Sequence, residues 1–516
     1  MKNLLPFPLL LLLIGHAASG LAQSPQDLNE KGLQAYKAHD FARAQEILGV
    51  LVKRDPSARN FNLLAMSESA GGKLDQAIAH FRRSIELGNN SATIHYNLGL
   101  SYLQRHNSAL GAREIQKALS MDPKLESARY TLAVVLLEAG RSQEALPHLL
   151  ELREESPCDD AMWSNLIRAQ FDAGKTQAAL NTIDEATRGM ARDVPLLVTV
   201  AALCARYHQP QKTRYLLESA NELRPDDPDI KLLLAKASLE ANEPIEAFTV
   251  LKDVPDSSGA PGVVSYTRGL ALALTGQEEA AEKELSAAVE SAPQSAHYLV
   301  ALAWVYQLED HQEKALTELE KALKRDPHTA VVPYRMAVSS FLLRRYDQAV
   351  QYCNQVLGLS PRYHPAYLLL GMAYLEQGDP HEAEAAIQQA IKLAPATALY
   401  HRELGVVLLK GGHLAHSKKE LDQAVTLDPK GAQAYFWRAR SLARLGNEQA
   451  ALRDLETTVA LQPDNRDAYS ELARLYAKAG QIQKADDAIA KEKAIKATDG
   501  SEYRRDLLSE QVDQPR

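Results

Sequence analysis

The sequence has few cysteines, only three among its 516 residues. So few thiols, in an odd number, cannot form the disulfide framework of a small exported domain. Cys204 and Cys353 fall at apolar positions of the repeating pattern described below, where cysteine packs as a small hydrophobic residue. Cys158 lies in a loop, too far from Cys204 for the Cα spacing of a disulfide bond. We therefore expect three free thiols, of which Cys158 is the one that can react.

The sequence also lacks a large excess of either positive or negative charge. The chain has 58 Lys and Arg against 66 Asp and Glu, a net charge of −8. Such a mild charge over this length argues against nucleic acid or an anionic membrane as a general partner.

Long apolar runs are confined to the N-terminus. The run from Leu4 to Ile14 is followed by small residues before a predicted cleavage point at Gln23. This pattern predicts a secretory signal peptide over residues 1–22, which is too short for a transmembrane anchor. Later segments are not apolar enough to span a bilayer. We therefore expect an exported protein, periplasmic or secreted, with no transmembrane segment in the mature chain.

The chain does contain a period of 34 residues. A fixed period of this length indicates an array in which one supersecondary element is copied and stacked. The array leaves little chain for any other domain. Prolines mark the grid at Pro123, Pro157, Pro225, Pro293, Pro327, Pro361, Pro395, Pro429 and Pro463.

Residues 364–397 are the clearest copy of the repeat. Their apolar residues are spaced by three and four, which indicates two amphipathic helices. Gly378 separates the two helices and Pro395 ends the second. The small residues Gly371 and Ala383, at repeat positions 8 and 20, let the helices cross closely.

The pattern resembles the tetratricopeptide repeat. Position 8 is glycine or alanine in thirteen of the fourteen copies, and Ile167 is the exception. The resemblance implies an all-α, right-handed superhelical solenoid of stacked helix-turn-helix repeats. We expect about fourteen repeats over residues 25–499 and a C-terminal capping tail over residues 500–516. The matching residues of the clearest copy are Tyr367, Leu370, Gly371, Tyr374, Ala383, Ile387 and Pro395.

Residues for a catalytic site are hard to place, because the repeats account for nearly every residue. The best metal candidate is His413 with His416, and His401 is nearby in sequence. Cysteines and clustered carboxylates do not accompany them, which is typical of solvated loop histidines. We predict no catalytic, cofactor-binding or metal site, and a protein that is not an enzyme.

The resemblance also implies that positions 2, 5, 9, 12 and 13 of each repeat line a concave surface where partners bind. Apolar residues occupy such positions in successive repeats of the second half, and we call them the apolar stripe. If exposed, a stripe of this length would bind an amphipathic helix or an extended apolar peptide. The alternative is that tight winding buries these side chains against the next helix. The apolar stripe comprises Tyr266, Val300, Trp304, Tyr334, Val338, Phe341, Leu368, Met372, Leu375 and Val406.

The same positions turn basic in the last three repeats. Arginines and lysines on one face could dock an acidic peptide tail or an anionic polysaccharide through paired contacts. The alternative is that they are ordinary solvated side chains. This basic stripe comprises Arg402, Lys410, Arg440, Arg444, Arg474 and Lys478.

These observations predict a non-catalytic scaffold for protein–protein interaction, in the periplasm or outside the cell, with a protein or peptide partner in the concave groove. The alternative is an accessory subunit of envelope polysaccharide synthesis or export, which would bind an anionic polymer or its enzyme through the basic stripe.

Overall fold

The computed structural model of the protein describes residues 24–155, 160–189 and 193–495. Three predicted features lie outside the described residues: the signal peptide (1–22), the capping tail (500–516) and the reactive thiol of Cys158. Within these ranges the chain is entirely helices and turns, with no strand. The predicted all-α fold is confirmed.

The described residues form 28 helices. The helices of the first half are α1 (Pro25–Lys37), α2 (Phe41–Arg54), α3 (Ala58–Ala70), α4 (Leu74–Glu86), α5 (Ala92–Gln104), α6 (Ser108–Met121), α7 (Glu126–Glu138), α8 (Ser142–Glu155), α9 (Asp160–Asp172), α10 (Thr176–Gly189), α11 (Val194–Arg206), α12 (Pro210–Leu223), α13 (Pro228–Glu240) and α14 (Pro244–Leu251). Those of the second half are α15 (Val263–Leu274), α16 (Glu278–Ser291), α17 (Ala296–Leu308), α18 (Gln312–Arg325), α19 (Val331–Leu342), α20 (Tyr346–Leu359), α21 (His364–Gln377), α22 (Pro380–Leu393), α23 (Ala398–Lys410), α24 (Leu414–Leu427), α25 (Ala432–Arg444), α26 (Glu448–Leu461), α27 (Arg466–Lys478) and α28 (Ile482–Ala494).

The chain divides into two compact units between Leu223 and Arg224. The N-terminal unit contains α1–α12, and the C-terminal unit contains α13–α28. Within each unit, every odd-numbered helix packs on the even-numbered helix that follows it. Each of these second helices also packs on the next odd-numbered one throughout the C-terminal unit, and in the N-terminal unit α2, α4, α6 and α8 do so. Each unit is therefore a stack of helix-turn-helix repeats, and we call the odd-numbered helices the first helices.

The close crossing inside the clearest repeat depends on the small residue at position 8. A Cβ atom added to Gly371 would lie 2.5 Å from Cγ1 of Ile387 and 3.0 Å from the carbonyl oxygen of Ala383. Ile387 occupies position 24, in the middle of the second helix. Two helix axes can come this close only where one side chain is almost absent. The predicted crossing point is therefore present in the clearest repeat.

Four prolines of the grid share one role at the repeat junctions. The side chain at position 4 of the following repeat, six residues later, donates a hydrogen bond to the carbonyl oxygens of Pro123, Pro361, Pro395 and Pro429. The Tyr367 hydroxyl donates to Pro361 at 3.3 Å, and His401 Nε2 donates to Pro395 at 3.1 Å. These bonds satisfy carbonyl groups left open where one repeat ends.

Candidate functional site

The apolar stripe of the C-terminal unit is buried. Trp304 is 5% exposed and Val338 is fully enclosed. The first helices of neighbouring repeats contact one another here, α17 with α19 and α19 with α21. Side chains at positions 5 and 9 therefore pack into the same hydrophobic clusters as the repeat core.

Of the two alternatives that the sequence left open for the stripe, exposure and burial, the structure shows burial. Leu375 alone among the ten is half-buried. Whether any of these residues contacts a partner stays a prediction. The nine buried members are Tyr266, Val300, Trp304, Tyr334, Val338, Phe341, Leu368, Met372 and Val406.

The basic stripe pairs with nearby carboxylates, some in the same repeat and some in an adjacent one. Lys410 Nζ lies 3.3 Å from Glu376, one repeat earlier. One carboxylate oxygen of Glu471, Oε2, lies 2.7 Å from Arg474 Nη2. The other oxygen, Oε1, lies 3.7 Å from Arg440 Nε. The contacts of Lys410 and Arg440 join neighbouring repeats, whereas Arg474 pairs within α27. Together these pairs offset much of the positive charge.

The other three basic residues have partners as well. Lys478 pairs with Glu448. Arg402 pairs with the neighbouring Glu403 at 2.7 Å. Arg444 Nη1 donates to the carbonyl oxygen of Leu409 at 2.7 Å. The predicted docking of an anionic partner would therefore have to compete with contacts inside the chain, and it stays a prediction.

The three histidines considered for metal binding are not brought together. His401 is buried, with Nδ1 2.8 Å from Glu420. His413 precedes α24 as its N-cap, and His416 lies inside that helix. Across the described ranges, His, Cys, Asp and Glu side chains form no group of three that could hold a metal ion.

Both described cysteines are free and buried. Cys204 lies in α11, and burial raises the pKa of its thiol to about 12. Cys353 lies in α20, where burial also raises the thiol pKa well above its usual value. The predicted core positions of these two residues are confirmed, since neither is exposed.

A pocket of about 560 Å³ opens in the N-terminal unit between the first helices α9 and α11. Its polar lining is Ser164 and Asn165 of α9 and Thr199 of α11. Its apolar lining comes from α11, mainly Val198 and Leu203. These residues occupy positions 5, 6 and 10, the same face that carries the apolar stripe in the C-terminal unit. Here that face is accessible.

Two arginines flank the pocket, Arg168 at position 9 of one repeat and Arg206 at position 13 of the next. Arg168 Nε is buried without a hydrogen-bond partner, and it lies 3.7 Å from Asp172 Oδ2, beyond hydrogen-bonding distance. The Arg206 guanidinium lies 5.6 Å from the centre of the Tyr207 ring. In the described part of the chain neither guanidinium donates a hydrogen bond.

Asp172 forms an ion pair with Arg168 and also accepts hydrogen bonds from two other donors. Its Oδ1 accepts a hydrogen bond from the Tyr207 hydroxyl, and its Oδ2 accepts one from Ser142 at 3.2 Å. The Tyr207 ring stacks on Phe171 with centroids 4.6 Å apart. Burial and then the bond to Asp172 raise the pKa of Tyr207, so the hydroxyl stays a donor at neutral pH.

Our sequence reasoning did not select this pocket, although the signal was present. Arg168 and Arg206 lie at positions 9 and 13, the positions that define the basic stripe in the last repeats. The basic stripe runs over three successive repeats, whereas Arg168 and Arg206 are a pair of cations in two adjacent repeats and form a weaker pattern in the sequence.

Family models match most of the array. Those described as "Tetratricopeptide repeat" match residues 96–160, 130–193, 296–329, 340–405, 408–455 and 438–501. One described as "TPR repeat" matches residues 69–105.

Curated relatives are similar over short segments. The general transcriptional corepressor ssn6 of Schizosaccharomyces pombe is 28% identical over 145 residues, which is 25% of this chain and 13% of that protein. The protein O-mannosyl-transferase TMTC3 of Homo sapiens is 28% identical over 168 residues, 32% of this chain and 18% of that protein. The small glutamine-rich tetratricopeptide repeat-containing protein 2 of Saccharomyces cerevisiae is 31% identical over 81 residues, 16% and 23% of the two chains. The matches thus span less than a quarter of each of these relatives.

Solved structures are similar over longer stretches. Cut9 in the structure titled "Crystal structure of APC/C hetero-tetramer Cut9-Hcn1" gives a TM-score of 0.44 at 15% identity, over 88% of this chain and 97% of that chain. Yeast Tom70 gives a TM-score of 0.38 at 15% identity, over 94% of each chain. None of the helices in the described part of this chain combines the length and hydropathy needed to cross a lipid bilayer.

Proposed function

Because the chain belongs to the tetratricopeptide repeat proteins, we propose that it is a non-catalytic scaffold that binds a protein partner on the first helices of its repeats. The array uses the inner sides of both helices for packing inside and between repeats. The face of the first helices that is not used for packing is therefore the surface on which a stack of this kind can bind other molecules.

The accessible face of α9 and α11 carries this proposal. Its lining combines apolar contacts from Val198 and Leu203 with hydrogen-bonding groups from Ser164, Asn165 and Thr199. A concave site with apolar walls and a few polar groups is the usual form of a binding pocket. We therefore place the partner in the N-terminal unit rather than on the buried apolar stripe.

The alternative, an accessory subunit that binds anionic polysaccharide through the basic stripe, has less support. Five of the six basic residues lie next to carboxylates, for example Lys410 beside Glu376. Arg444 is engaged by a backbone carbonyl group. A polymer would have to displace these contacts before it could bind.

Photocrosslinking in the native cells tests the scaffold function. We would place p-benzoylphenylalanine at Thr199, which is exposed and lines the pocket, and as a control at Lys117, which is exposed on the second helix α6. We expect discrete protein adducts from Thr199 and none of the same size from Lys117. Equal adducts from both positions, or a carbohydrate adduct that resists proteases, would contradict the proposal.

We also propose that the protein is exported. The signal peptide expected over residues 1–22 is followed directly by a well-capped first helix. The Ser24 hydroxyl accepts from Asp27 N at 3.1 Å, and the Asp27 carboxylate accepts from Ser24 N at 3.1 Å. Cleavage before Gln23 would leave this capping box intact. Sequencing the N-terminus of the protein from native cells tests the proposal, and a chain that still begins at Met1 would contradict it.

A further inference from the structure

We infer that the pocket between α9 and α11 binds the carboxylate of an acidic side chain in an extended segment of the partner protein, with Arg168 and Arg206 as its ligands. This inference rests on the proposed scaffold function and specifies the chemistry of the partner at the same site.

The first argument is the state of the two guanidinium groups. In the part of the chain that the structure describes, Arg168 and Arg206 donate no hydrogen bond, and Arg168 Nε is also buried. A buried donor without an acceptor is unfavourable, so an incoming acceptor gains a strong contact. Arginine binds carboxylates through charge-assisted and often bidentate hydrogen bonds.

The second argument is that the nearest carboxylate does not fill the role. Both oxygens of Asp172 accept hydrogen bonds from other groups, Oδ1 from Tyr207 and Oδ2 from Ser142. Asp172 Oδ2 also lies 3.7 Å from Arg168 Nε, an ion pair without a hydrogen bond, so one carboxylate is shared among several groups beside two guanidinium groups. The pocket therefore keeps a cationic character that a ligand can neutralise.

The third argument concerns the class of ligand. The pocket, about 560 Å³, is larger than one carboxylate group, so it has room for the residues on either side of an acidic residue. Val198 and Leu203 offer these neighbours an apolar wall, and Thr199 and Asn165 offer hydrogen bonds to a peptide backbone. The pocket lining contains no aromatic ring that could stack on a sugar. These features favour an acidic peptide over an anionic polysaccharide.

Selection from a random decapeptide library tests the inference. The peptides are displayed with their C-terminus fused to the carrier, so only side chains supply carboxylates. The target is the full mature chain. We expect the selected peptides to be enriched in Asp or Glu next to an apolar residue, and to bind more weakly as the salt concentration rises.

Affinities of the selected peptides are then compared between two double variants. In the test variant, Arg168→Gln with Arg206→Gln, we expect affinity to fall about tenfold or more. The control variant, Arg83→Gln with Arg141→Gln, makes the same charge change at two exposed arginines of the N-terminal unit, each paired with a glutamate. We expect the control to bind as the unchanged protein does. Circular dichroism confirms that both variants are folded.

The outcomes separate the two proposals. Peptides without acidic residues, or acidic peptides that the test variant binds as tightly as the control, overturn the carboxylate inference and leave the scaffold function standing. Failure to select any peptide overturns the scaffold function itself. Binding of polygalacturonate that requires Arg168 and Arg206, with no acidic peptide selected, would replace the peptide with a polysaccharide and overturn the inference.

Discussion

Replacing Gly371 with alanine tests the packing rule on which the whole array depends. The new Cβ atom would lie 2.5 Å from Cγ1 of Ile387, an inner atom of a β-branched side chain, and 3.0 Å from the backbone oxygen of Ala383. Neither neighbour can turn away without moving a helix. Overpacking of this kind costs about 1–3 kcal/mol. Alanine also favours the helical state over glycine by about 0.5–1 kcal/mol, so the net destabilisation is smaller than the packing cost.

A second glycine separates these two effects. Gly358 lies near the end of α20, is exposed, and has nothing within 4 Å of an added Cβ atom. Gly358→Ala should therefore show the helix preference without the packing cost. The difference in stability between Gly371→Ala and Gly358→Ala should equal the packing cost, about 1–3 kcal/mol.

Hydrogen exchange is the suitable assay, because neighbouring repeats can open separately and a single melting temperature would average over them. Exchange of the amides of α20, which contains Gly358, and of α21 and α22, which cross at Gly371, gives the free energy of local opening for each variant. We expect faster exchange in Gly371→Ala than in the unchanged protein, and unchanged or slower exchange in Gly358→Ala. If Gly371→Ala is protected as well as Gly358→Ala, the assigned crossing point is wrong.

Three further changes test other parts of the structure. Trp304→Asp with Met372→Asp should unfold much of the C-terminal unit, because loss of a buried tryptophan alone costs about 3–5 kcal/mol; a native circular dichroism spectrum and melting curve would contradict the burial of the apolar stripe. Cys204 and Cys353 should resist thiol reagents in the native chain and react once urea unfolds it, because burial keeps both thiols protonated; rapid labelling of either residue in the folded protein would refute this. Burial also raises the pKa of Glu68, so its contribution to stability is present below its unfolded-state pKa and is lost as the pH rises through the folded-state value. Glu68→Gln should remove this part of the pH dependence in urea titrations, and an unchanged profile would refute it.

The repeat fold could be predicted from the sequence because its determinants lie close together along the chain. Gly371 and its contact Ile387 are sixteen residues apart, within one repeat. Positions 8 and 24 are sixteen residues apart in every copy, so the sequence provides many independent examples of the same packing pattern. Local packing rules therefore suffice to predict the helix pairs.

The accessibility of the first helices could not be predicted in the same way. Val338 occupies position 9 and Ala202 occupies position 9 of another repeat, yet Val338 is fully buried while Ala202 is exposed. The difference depends on how closely successive first helices approach, which involves side chains 34 residues apart. A pattern defined within one repeat carries no information on that distance.

The partners of the charged residues depend on the same spacing between repeats, and position 13 shows how a binding site can arise from it. In both compact units, a carboxylate at position 13 of one repeat precedes a cation at position 13 of the next: Asp172 before Arg206, and Glu376 before Lys410. In the second case the two side chains form an ion pair at 3.3 Å. In the first case Tyr207 takes an oxygen of the shorter aspartate, and Arg206 stays without a hydrogen-bond acceptor in the described part of the chain. The same repeat geometry therefore yields a structural ion pair in one unit and a cation open to a ligand in the other. The shorter carboxylate and its contacts with Tyr207, Ser142 and Arg168 distinguish the first case, so an array of this kind can acquire a specific site without any insertion into the fold.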